Sequence, residues 1–222
     1  MRSFNFEVTD NTIHILEYPN ADMVLELPKD RNVIRLMDMS LHWMDLVDAK
    51  NSLEAITTDT PNVVRTALAQ NAIVLFFKCF GQNKFRNNPL KRDKILANFP
   101  SEAKAVFDYY KNLRNKFIVH DESRYAQVQI GLILESSKDY PFVDIVNGIF
   151  TTDKFQGDGA VEGLQSFYRL VLAAITWTEK TIDELSDLIK SEYKDKPLSE
   201  FRDFLPLQLQ IPTNDELFQR RY

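Results

Sequence analysis

A chain of 222 residues can bury a sizeable core and lies between one large domain and two small ones. Apolar residues at 44% and charged residues at 27% argue against a disordered or membrane-embedded protein, and a net charge of −5 argues against a bulk nucleic-acid coat. The single cysteine, Cys79, excludes a disulfide or a cysteine-based zinc site within one chain.

The opening "MRSFNFEVTD" has no apolar run after Arg2, so no secretory signal is expected, and the cysteine usage suits a reducing cytoplasm. "FNFEV-TDN-TIHIL" alternates about a polar turn and predicts a β-hairpin within about residues 1–27. After Pro28, "VIRLMDMSLHWMDLVDAKNSLEAI" reads as a long amphipathic helix. A second helix follows Pro61 and stops near Gly81. The loop "GQNKFRNNP" leads to a short helix, "LKRDKILANF", and then to "PSEAKAVFDYYKNLRNKFIVH", expected to run about five α-helical turns. Beyond it, "AQVQIGLIL" and "FVDIVNGIF" are β-branched and flank the turn residues "ESSKDYP", predicting a hairpin insertion at about 125–150. The longest helix is expected from about Ala160 to Tyr193, with a seam of Leu164, Tyr168, Val171, Ile175, Thr178, Ile182, Leu185 and Ile189. The apolar runs "AIVLFF" and "LVLAAI" are far too short to span a membrane. Together these elements predict a mainly α protein. Residues 1–195 form a single helical-bundle domain with β-hairpin additions, and 196–222 form a proline-cut tail that wraps the surface or a partner.

Charge is unevenly spread. Between Lys78 and Lys116 ten Lys/Arg face three acids, so the rest of the chain carries −12. Such a basic segment on an acidic protein can focus an anionic ligand, although a solvated lysine-rich surface has the same composition.

Two arginine–histidine spacings stand out. Arg35 and His42 lie on the first helix with Asp38 and Asp45, opposite Ile34, Met37, Leu41 and Met44, which reads as a solvated stripe with Asp–His contacts. Arg114 and His120 are different. Val106, Tyr110, Leu113, Phe117 and His120 repeat at helical spacing, placing His120 at the end of an apolar stripe. A histidine capping a helix C-terminus satisfies that pattern as well as a catalytic group does.

The stretch "LRNKFIVHDES" resembles the signature of the HEPN superfamily, especially branches found in bacterial abortive-infection and toxin–antitoxin systems. Arg114 matches the family arginine, Asn115 the polar residue after it, and His120 the histidine. The motif is seven residues long and the resemblance covers about residues 33–193; the hairpin insertion and the tail depart from the minimal helical bundle. What the resemblance implies is a HEPN-like bundle of four to five helices that cleaves RNA without a metal or other cofactor, as a homodimer with two motif copies sharing one cleft. It also implies a role in stress or phage defence, with an antitoxin or other defence-system protein as a partner. Arg114 and His120 would be catalytic. Asn115 would hydrogen-bond phosphate or fix the partner's histidine, and Asp121 would orient imidazole or make a local turn. Lys84, Arg86, Lys91, Arg92 and Lys116 are candidate RNA-backbone contacts, with Phe85 either a stacking surface or a core anchor. A non-catalytic HEPN-like module binding RNA or protein is the alternative.

Overall fold

In the computed structural model of the protein, residues 5–9, 12–18, 20–21, 23–81, 86–119, 126–134, 137, 142–151 and 158–207 are described. These residues are mainly helical. Helix α1 spans Arg31–Glu54, α2 Asn62–Lys78, α3 Arg92–Ile95, α4 Ser101–Leu113 and α5 Asp158–Tyr193. Strands β1 (Phe6–Thr9) and β2 (Thr12–Ile15) pair antiparallel, as do β3 (Ala126–Leu134) and β4 (Phe142–Thr151). The chain gathers into two compact units, each drawn from separate segments. One holds residues 1–45, 79–91 and 174–222; the other holds 46–78 and 92–173.

The first unit begins with an extended segment stopped by Asp30. Its Oδ1 accepts the amides of Asn32 (2.7 Å) and Val33 (2.9 Å), satisfying two of the open N–H groups at the start of α1. Val33, Met39, Ile175, Ile182, Leu185 and Ile189 supply its apolar burial. Trp43 donates its indole N–H to Glu179 at 3.0 Å. Downstream of α5, a 3₁₀ turn at Leu198–Phe201 brings Phe201 and Phe204 edge to face, 5.5 Å apart. The chain then runs beside residues 24–26: Glu26 donates to the Leu205 carbonyl and Leu207 to that of Val24, both at 2.8 Å. The expected tail is therefore part of this unit at least as far as Leu207, while residues 208–222 lie outside the described ones.

The second unit packs around aromatic side chains. Phe76, Phe77, Phe107, Tyr110 and Phe167 are all buried. Phe76 meets Phe167 edge to face at 5.2 Å, Phe77 meets Phe107 at 5.1 Å, and Tyr110 tilts over Phe167 at 4.5 Å. Such contacts add to the apolar burial that five large rings supply. Arg65 closes the connection between α1 and α2: its Nη2 donates to the carbonyls of Thr58 and Thr60, each at 3.2 Å.

Two expectations about the helices need correction. The stripe of Asp38, His42 and Asp45 on α1 is buried, not solvated, and Met44, assigned to the apolar face, is 48% exposed. The long helix after Pro100 keeps α-helical winding only to Leu113, then widens into a π-helical segment, Arg114–Val119. Consecutive β-branched residues, Ile118 and Val119, crowd an α-helical turn and weaken its preference there.

Candidate functional site

The π-helical segment carries the sequence motif. Arg114 ends α4 with αR backbone angles, its amide donating to the carbonyls of Tyr110 and Lys111. On the preceding turns Phe107, Tyr110 and Leu113 are buried, so Arg114 leaves a helix anchored through one face. The segment also packs against α2. Isolated π turns occur frequently at functional sites, because the extra residue re-aims side chains that regular winding would place elsewhere.

The Arg114 side chain is half-buried, and its Nη1 donates to Asn115 Oδ1 at 2.9 Å. Its Nε is buried without a hydrogen-bond partner among the described residues. No carboxylate among those residues pairs with this guanidinium. The contact with Asn115 narrows the rotamers of both groups and leaves the Asn115 amide N–H₂ as a donor. Lys116 is exposed one residue further on. His120 and Asp121 lie outside the described residues.

The remaining expected RNA contacts fall in different surroundings. Lys84 and Phe85 lie outside the described residues, and Lys91 is exposed. Arg92 is half-buried, grips Asp108 with Nη1 at 2.8 and 2.9 Å, and stands 5.8 Å from the Phe107 ring centre. Arg86 corrects the expectation directly. It is 6% exposed, and its Nη1 lies 2.6 Å from Asp45 Oδ2 and 3.1 Å from His42 Nδ1. A guanidinium spent on a buried carboxylate cannot serve as a surface phosphate contact.

Arg86 belongs to a buried polar network that local sequence reasoning missed. Asp38 Oδ2 accepts the backbone amides of Asn87 (3.0 Å) and Asn88 (3.1 Å) and the Asn88 side-chain amide (2.7 Å). His42 Nε2 donates to the Asn88 carbonyl at 3.1 Å, which leaves Nδ1 to accept from Arg86. Cys79 Sγ donates to the His42 carbonyl at 3.7 Å, and the Leu90 amide donates to the Cys79 carbonyl at 2.9 Å. Asp38, His42 and Asp45 recur every three or four residues along α1, so one face of a single helix presents three side chains to the Arg86–Asn88 turn. Their role is to fasten that turn, since buried polar groups persist where their hydrogen bonds are met. The one signal in the sequence was Asp38, His42 and Asp45 at helical spacing; nothing local told which way they face.

This network makes stability depend on pH. Burial holds the His42 imidazole below the ordinary histidine range; the Asn88 carbonyl opposes this, the Arg86 charge adds to it, and Asp38 and Asp45 oppose it. The unfolded chain therefore binds the proton first as pH falls. Stability is full above the unfolded value of about 6.5 and declines below it until the folded group also titrates, by at most about 1.4 kcal/mol per pH unit. Urea midpoints measured from about pH 7.5 to 5.5 are expected to fall for the natural protein and to fall less for His42→Gln. Equal slopes for the two proteins would remove His42 as the cause.

Among the described residues, no helix is long and apolar enough to cross a membrane, and no group of three His, Cys, Asp or Glu side chains could hold a metal ion. No protein-family model, curated protein or solved structure matches this chain.

Proposed function

We propose that the protein is a metal-independent endoribonuclease of HEPN type, in which Arg114 and His120 of two subunits act on one RNA phosphate. The carrying observation is the Arg114 guanidinium: held by Asn115 through Nη1 at the start of a π-helical segment, with no carboxylate partner among the described residues, it keeps its Nη2 N–H groups for an anion. A guanidinium stays charged at every working pH, and its charge-assisted hydrogen bonds to phosphate oxygens are strong ones. The Arg-Asn sequence, the five-residue spacing to His120 and the mainly helical scaffold agree with this reading.

The chemistry needs no further reagent. A base removes the 2′-OH proton, the 2′-oxygen attacks the adjacent phosphorus, and an acid protonates the departing 5′-oxygen. A histidine titrating near pH 6.5 can serve either proton transfer, and the arginine offsets the negative charge that grows on the five-coordinate phosphate. Pairing two motif copies about a twofold axis provides a second histidine, so acid and base need not be one group. A cytoplasmic defence role with an antitoxin partner belongs to the same proposal and rests on the resemblance alone.

The test is single-stranded RNA offered to purified protein in excess chelator. Cleavage leaving 2′,3′-cyclic phosphate ends, with the matching DNA untouched, is the expected result. RNA that is bound but never cut, at any concentration of protein, would instead describe a non-catalytic binding module.

A further inference from the structure

The second unit contains a cleft that the proposed chemistry does not use. Leu53 and Glu54, at the end of α1, and Ile56 just beyond it face Leu164, Gln165 and Tyr168 of α5 across a cavity of about 230 Å³. Leu53 and Leu164 are buried and with Ile56 make an apolar floor. The polar members are organised rather than scattered. Glu54 Oε1 accepts the Tyr168 hydroxyl at 2.6 Å, and Oε2 accepts Lys50 Nζ at 2.7 Å.

Those contacts determine what the cleft offers. The Lys50 hydrogen bond, then that of Tyr168, holds the Glu54 carboxyl below its ordinary range, so it stays ionised near neutral pH. Lys50 offsets its charge, so the pair carries no net charge and does not call for a charged ligand. Each carboxylate oxygen still has a lone pair to spare, because each accepts only one of the two hydrogen bonds it can take. Gln165 adds an amide N–H₂ with two donors and a carbonyl acceptor. The volume falls below that of pockets for drug-sized molecules, which fits one or two fused rings. The Tyr168 ring in the lining favours a planar occupant, since bases stack on aromatic side chains whatever their sequence.

We infer that this cleft binds a guanine base. Guanine presents two adjacent N–H donors on its pairing edge, matching a fixed carboxylate, whereas adenine presents one donor beside an acceptor that would face the carboxylate's negative charge. The sugar and phosphate would remain outside, where the neutral lining asks nothing of them. The base can arrive on a free nucleotide or within an RNA chain; only the second source rests on the ribonuclease reading.

Calorimetric titration of the intact protein with 5′-GMP, 5′-AMP and two short RNAs differing by one G-to-A change separates these cases. The expected result is guanine-dependent binding, at least about tenfold tighter than for adenine and weakened by a similar factor in Glu54→Gln, as loss of a charged acceptor implies. Ile56→Trp, which fills the cleft from a half-buried position, is expected to abolish binding and guards against a purely electrostatic effect of the first variant. Binding of GMP alone assigns a free nucleotide, and binding of the G-containing RNA alone assigns a chain. Equal affinity for guanine and adenine, no binding of either, or guanine binding untouched by both substitutions overturns the inference. Binding is read without turnover, so its failure leaves the nuclease proposal standing, and failure to cleave leaves the cleft standing.

Discussion

Replacing Arg86 with alanine is expected to destabilise the protein by about 3–5 kcal/mol, the range for breaking a buried ion pair from one side. The cause is what the substitution takes away. Asp45, 3% exposed, would lose the guanidinium that stands 2.6 Å from its Oδ2, and His42 Nδ1 would lose the N–H that Arg86 supplies at 3.1 Å. Taking both ends away should cost less: Asp45→Leu together with Arg86→Met removes both charges and is expected to recover much of the loss, because apolar pairs of similar volume often replace buried ion pairs without penalty. Urea titrations followed by circular dichroism give the comparison. A loss below about 1 kcal/mol for Arg86→Ala would mean that the pair behaves as an exposed one.

The second large effect belongs to the motif. Arg114→Ala and His120→Ala are each expected to reduce RNA cleavage by about 100-fold or more, the smallest factor usual for a positioned acid–base group. Arg114→Lys should recover only part of the activity, since an ammonium keeps the charge but loses the planar fork and the reach to Asn115. The Arg114 variant serves as a stability control, because this side chain is half-buried and forms no ion pair among the described residues. Its urea midpoint is expected to move by no more than about 1 kcal/mol in stability terms, as for most substitutions away from buried networks. Undiminished cleavage by either alanine variant would end the ribonuclease proposal.

Much of the helical framework was legible because burial follows period. The seam on α5 shows this: of the residues that alternating spacings of three and four placed on it, Leu164, Val171, Ile175, Thr178, Ile182, Leu185 and Ile189 are buried, while Tyr168 is half-buried and Phe167 beside it takes the core position. Helix α1 shows the opposite. Its buried residues near the network include Met39 as well as Asp38, His42 and Asp45, and the reason lies 44 residues away from His42, in Arg86. Periodicity weighs a residue by its own solubility and cannot see a partner delivered by a distant loop. The same blindness made Arg86 look like a phosphate ligand. In the motif, residue identity pointed to Arg114 and Asn115, but the change from α to π winding at that position was not readable, because a segment that packs against a distant helix, here α2, answers to more than its own residues.

Cys79 sits at 0% exposure beside the fastened turn, with its backbone carbonyl holding Leu90. Being the chain's lone sulfhydryl, it equips the native protein with an internal clock. An alkylating reagent can reach it only during excursions that open the packing around it. The labelling half-life therefore measures how often that seal breaks, without any probe being introduced.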